Sequence, residues 1–198
     1  MLLPLAFLVR AKGRPEHREW LEKIVKDVLA EQQHCGAIAE RVRDPKNTHY
    51  PPPSSNESYG VTEAPVIQQN GDPASDLLYT QNFAFLGLHE AAAATSDAKI
   101  REAEDKLADF LCRTQLRSQS HPYLNGCWMR SFDYDRWEYW GSSADLGWGA
   151  WCVESGWMNT WIASVLAMRA LHRTLFNLSR ADEFKGRFSR VLPEMLPS

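Results

Sequence analysis

The stretch LLYTQNFAFLGLHEAAAAT, residues 77–95, decides the fold. It is too long for a strand and shows no alternation of period two. It is apolar on nearly every side, so as a helix it must be covered on nearly every side. Asp72-Pro73 stands just before it and reads as a helix start, Asp as the N-cap and Pro at the first helical position. The expected helix therefore runs from Pro73 to about Ala94.

Outward from this segment the same pattern recurs. After the break at "TSD", residues 97 to 118 form a one-sided helix. Ile100, Ala103, Leu107, Phe110, Leu111 and Thr114 face inward, and Arg101, Glu102, Asp105 and Asp109 face out. At the start of the chain, residues 2 to about 10 form an apolar helix stopped by Gly13. Pro15 then opens a one-sided helix with a stripe of Trp20/Leu21, Ile24/Val25 and Val28/Leu29, ended by Gly36. Towards the end, "WMNTWIASVLAMRALHRTLF" (157–176) is a third helix with little polar surface. A break at Asn177–Arg180 and a last helix from about 181 to 192, ended by Pro193, follow it. The sequence thus predicts an all-α domain of three αα-hairpins, each pairing an inner helix with an outer one. Two long segments, 37–71 and 119–155, both precede an inner helix, so both emerge at the same end of the array. Sites concentrate on such loops.

The bulk numbers exclude several functions. The 198 residues carry a net charge of -3, so no basic field suggests nucleic acid or an anionic membrane. No run is long enough to span a bilayer, and "MLLPLAFLVRAKG" lacks the basic start and cleavage site of a signal peptide, which leans towards a cytoplasmic location. Cys35, Cys112, Cys127 and Cys152 form no CxxC pair and read as buried free thiols. No His/Asp/Glu spacing makes a metal site, and no glycine-rich phosphate loop is present, so neither metal nor cofactor is expected.

Seven of the eight tryptophans lie between Trp128 and Trp161. Within "DYDRWEYWGSSADLGWGAWCVESGW" (133–157), rings and carboxylates alternate among Gly and Ser. A core wants the rings without the acids, and a solvated loop the reverse. A sugar-binding cleft uses both, because a pyranose offers an apolar face for stacking and a rim of hydroxyls for hydrogen bonds.

Two stretches, "YGVTEAPVIQQNGDPASDLLYTQNFAFLGLHEAAAAT" (59–95) and "RWEYWGSSADLGWGAWCVESGWMNTWI" (136–162), together with the hairpin pattern, resemble the six-hairpin glycosidase superfamily. That resemblance implies an (α/α)6 toroid, of which three hairpins amount to about half. The chain is then the C-terminal part of a longer enzyme, or a half-ring completed by a second copy. The resemblance implies a glycoside hydrolase acting on oligosaccharides through two carboxyl groups. Asp145, among small residues in "SSADLGWG", and Glu154, among Trp148, Trp151 and Trp157, are the first candidates for the pair. An aromatic setting raises a carboxyl pKa, as a general acid requires. Glu63 in "TEAP" is the third. Each also suits a structural role: Asp145 a turn, Glu154 a helix cap, Glu63 a backbone acceptor.

Trp137, Trp140, Trp148 and Trp151, with Tyr59 and Tyr134, are candidate stacking platforms, or else rings that pin a loop to its scaffold. Arg130 and Arg136 would hold the carboxylate of a uronic acid unit, and His121 is the candidate functional histidine. The same parts, with Tyr59, Tyr134 or His121 as base and Arg130 neutralising the uronate carboxylate, describe a polysaccharide lyase. A non-catalytic sugar-binding or helical scaffold protein is the reading from another class. His89, beside Glu90 on the buried helix, reads as a hydrogen-bonded core histidine.

Overall fold

A computed structural model of the chain describes residues 1–42, 66–141, 150–153, 158–180 and 182–195. The chain is mostly helical. The helices are α1 (Leu2–Lys12), α2 (Pro15–Ala30), α3 (Thr80–Thr95), α4 (Ala98–Thr114), α5 (Met158–Ala170), α6 (Leu175–Arg180) and α7 (Asp182–Met195). Two short strands, β1 (Ala74–Asp76) and β2 (Ser131–Asp133), complete it.

α1 and α2 are joined through Gly13, which takes the left-handed conformation at φ 63° and donates its N–H to Val9. Pro15 opens α2 as its sequence position demands. α3 and α4 are joined through Ser96 and Asp97, and the Asp97 carboxylate caps α4 by accepting the Lys99 N–H at 2.7 Å. Such short connections make each pair antiparallel. Leu2 meets Gly87, and Arg10 near the end of α1 reaches Glu90, so α1 and α3 run in the same direction. Phe83 meets Trp161 and His89 meets the Arg173 carbonyl, so α5 runs that way too.

The core lies on α3, which packs against α1, α4 and α5. Phe85, Leu88 and Ala91 of α3 are buried with Leu2, Leu5 and Ala6, with Leu107, Phe110 and Leu111, and with Ile162 and Val165. The expected inward and outward faces of α4 are as observed. α1 is only half-covered, since Leu8 is exposed beside the buried Leu5 and Val9. At Gly87 a Cβ would lie 2.5 Å from the Leu2 Cβ, so the missing side chain sets how closely α1 approaches α3. Gly87→Ala is expected to cost about 1–3 kcal/mol by forcing these helices apart, read as a lower urea midpoint.

Several boundaries differ from the sequence reading. α2 ends at Ala30, not at Gly36. Gly36, at φ 101°, instead turns the chain so closely beneath α4 that a Cβ would lie 2.0 Å from the Lys106 carbonyl oxygen. α3 starts at Thr80, not Pro73. Asp72 is not its N-cap, because its carboxylate accepts the Gln68 and Gln69 N–H groups at 2.7 and 3.0 Å. The residues between pair with β2 instead. The last break falls at residues 171–174, and Asn177–Arg180 is helical. Thr174 makes that boundary by accepting the Asn177 N–H at 3.1 Å, a hydroxyl cap. Pro193 lies inside α7 rather than ending it. The four cysteines are free, but Cys112 is exposed and the others are half-buried.

Candidate functional site

The residues just before α3 and those after α4 meet at the end of the array that holds the first turns of α3 and α5. Their junction is the antiparallel ribbon of β1 and β2, paired Ala74 to Asp133, Ser75 to Phe132 and Asp76 to Ser131. Backbone bonds extend it on both sides, from Leu77 N–H to the Arg130 carbonyl at 2.8 Å and from Tyr134 N–H to the Pro73 carbonyl at 2.9 Å. Every residue of both strands is buried.

The carboxylates of the ribbon build turns. Asp76 Oδ1 accepts the Leu78 and Tyr79 N–H groups at 2.7 and 3.0 Å, which turns β1 into α3. Asp133 Oδ1 accepts the Asp135 and Arg136 N–H groups, both at 2.9 Å. The same two-amide grip closes the turn between Asp133 and Glu138.

Ser131 ties in the next segment. Its hydroxyl donates to the Trp140 carbonyl at 2.9 Å, and its N–H points at the Ala150 carbonyl at 3.4 Å. The Arg130 N–H donates to the Cys152 carbonyl at 3.0 Å. Trp140 and Ala150 are therefore both held on Ser131. α5 is held just before β2, since Asn159 accepts the Trp128 N–H at 2.8 Å and donates to the Trp128 carbonyl at 3.3 Å.

Tyr59, Glu63, Asp145, Trp148 and Glu154 lie outside the described residues. The others are placed as follows. Trp137 takes φ 59° and wedges edge-on against Phe110 and Phe132, at centroid distances of 5.9 and 5.1 Å, with the Arg113 guanidinium 4.3 Å from its centroid. It pins the turn to α4. Trp137→Ala is expected to destabilise the fold by about 2 kcal/mol through lost ring contacts, read by calorimetric unfolding.

Trp140 is half-buried, with the exposed Arg136 guanidinium 5.7 Å from its ring centroid. Of the expected residues, these two are brought together at the surface. Trp151 is 65% exposed. Arg130 is the opposite case, only 2% exposed. Tyr134 is half-buried, and burial pushes its phenol up to about 12, with Asp135, Cys35, Asp133 and Glu31 adding in the same direction. His121 stands apart, exposed beside Tyr123 on a hairpin closed by Leu116 and Cys127.

A further aromatic group emerges at this end. Phe83, in the first turn of α3, is 51% exposed on an otherwise covered helix. It stacks on Tyr79 at 6.4 Å and meets Trp161 of α5 edge-on at 5.1 Å. The uniform apolarity of residues 77–94 hid this position, because only the neighbours decide which face stays open. One structural role was legible: His89 is buried and hydrogen-bonded on both ring nitrogens.

No family model, no curated protein and no solved structure matches the chain. Among the described residues, no helix is long and apolar enough to cross a membrane.

Proposed function

We propose that the chain is a carbohydrate-active protein, a glycoside hydrolase or the catalytic half of one, built on part of an αα toroid and acting on oligosaccharides. The observation that carries this reading is that Ser131 holds both Trp140 and Ala150, at the end of the array where Tyr79, Phe83 and Trp161 stand together. Asp145 follows Gly141 by four residues, and Glu154 follows Cys152 by two. Both carboxylates are close in sequence to residues held at this end, beside a group of aromatic rings, and glycoside hydrolysis uses a carboxyl pair with such rings.

In this reading Glu154 is the general acid, and Asp145 is the nucleophile or the base that activates water, with Glu63 as the third carboxyl. Phe83, Trp161 and Trp140 offer stacking surfaces, and Arg136 offers an exposed guanidinium for a carboxylate on the sugar.

Mass spectrometry of the products tests the reading. The chain is incubated with neutral and uronate-containing oligosaccharides. Fragments whose summed mass exceeds the substrate by one water support hydrolysis. Fragments with an unsaturated end and no added water replace it with elimination. An unchanged panel leaves a sugar-binding or scaffold role, which calorimetric titration with the same sugars then separates.

A further inference from the structure

Behind the loop end, the far halves of α3, α4 and α5 enclose a polar cluster that the proposed chemistry does not use. Glu104 of α4 is fully buried, with Oε1 2.7 Å from His89 Nδ1. The same oxygen accepts a bond from Arg169 of α5 at 2.5 Å, and Oε2 accepts one from Arg101 at 2.8 Å. Arg169 also donates to Asp105 at 2.6 Å. The other ring nitrogen of His89, Nε2, lies 2.8 Å from the Arg173 carbonyl oxygen, in the turn between α5 and α6.

A carbonyl oxygen only accepts, so Nε2 carries a hydrogen. An ionised carboxylate only accepts, so Nδ1 carries one too. Both contacts are satisfied together only by the imidazolium. In the neutral ring one nitrogen presents a lone pair to an oxygen lone pair at 2.7 or 2.8 Å, whichever tautomer forms. The adjacent residue, Glu90, grips the same corner by accepting the Leu175 N–H at 2.5 Å, with Phe176 N–H at 3.4 Å. Arg10 adds a donor bond to Thr174 at 2.8 Å and lies 3.5 Å from Glu90. Beyond this corner, Phe188, Val191 and Leu192 of α7 are exposed.

We infer that His89 is a proton-operated clasp. As the imidazolium it joins Glu104 to the α5–α6 turn, and loss of one proton to solvent loosens the arm formed by α6 and α7. The charged groups around the ring act in opposing senses. Glu104, Glu90 and Asp105 favour the imidazolium, and Arg10, Arg101 and Arg169 oppose it. Burial also opposes it, but the bonds to Glu104 and the Arg173 carbonyl outweigh that cost, and the His89 pKa is raised above its ordinary 6.5. The sign follows from the raised value. The clasp is fully closed below pH 6.5 and is lost as pH rises through the native pKa.

Amide hydrogen exchange on the whole chain tests this, expressed as protection factors so that the intrinsic pH dependence divides out. From about pH 6 to about pH 9, protection of residues 173–180 is expected to fall about tenfold, the effect of one lost charge-assisted bond, while residues 84–92 hold theirs. In His89→Gln the fall should vanish, which separates His89 from the other histidines. Constant protection in the native chain overturns the clasp. If His89→Gln does not fold, ring-nitrogen NMR of the native chain decides. Protons on both nitrogens at pH 6.5 in most molecules support it, and a singly protonated ring there overturns it.

Discussion

Asp145→Asn and Glu154→Gln are each expected to lower kcat on the cleaved oligosaccharide by about 10³-fold, with KM changed by less than about threefold. Each amide keeps the size of its parent and removes the ability to take or give a proton. The loss therefore falls on the transition state, about 4 kcal/mol at that factor, and spares binding. The two should also separate. An added small nucleophile such as azide restores turnover only in the variant that lacks a nucleophile or base, since the general acid is still in place there. Turnover at the native level in both variants would move the carboxyl pair elsewhere, and Glu63→Gln would be the next variant to assay.

Glu104→Ala is expected to lower unfolding free energy by about 3–4 kcal/mol, measured by urea denaturation with an unchanged slope. The side chain is completely buried and collects bonds from His89, Arg101 and Arg169. Removing it leaves His89 Nδ1 and one arm of Arg169 without their acceptor, which costs more than the pair contributed. Arg101 and Arg169 are partly exposed and recover some hydration, which keeps the loss at the lower end. Glu104→Gln keeps the shape and one acceptor, so about 2 kcal/mol is expected. The native carboxyl pKa is lowered, since the bonds from His89 and Arg169 outweigh burial. Its contribution is therefore present above the ordinary value of 4.5 and lost as pH falls through the native one. Glu104→Gln should flatten that acid limb.

The loop-end residues divide along a physical line. Arg130, Asp76 and Asp133 are buried, and Trp137, though 37% exposed, sets its ring edge-on against Phe110 and Phe132; their contacts hold the ribbon and its turns. Arg136, Trp140, Phe83 and Trp161 keep surface open at the same end. Residue type did not separate the groups. Asp in a turn and Asp in a cleft look alike in sequence, as do a tryptophan that pins a loop and one that meets a sugar. The neighbours decide, and some of them are close in sequence, as Phe132 is to Trp137, while others are distant, as Trp161 is from Phe83.

By itself the sequence determined the helical class, the one-sided face of α4, and the starts of α1 and α2. These follow from local periodicity and caps, which act within a few residues. Only the tertiary structure decided the rest. Ala74–Asp76 became a strand because Ser131–Asp133 supplies its hydrogen-bond partners, against the local Asp-Pro helix signal. Gly36 became a contact under α4 rather than a helix stop because Lys106 leaves no room for a Cβ. His89 and Glu104, fifteen residues apart, became one charged cluster because α3 and α4 fold back on each other and α5 brings Arg169 and the Arg173 carbonyl to close it. Burial of a charge is set by what packs over it, and that packing is written in no single stretch of the chain.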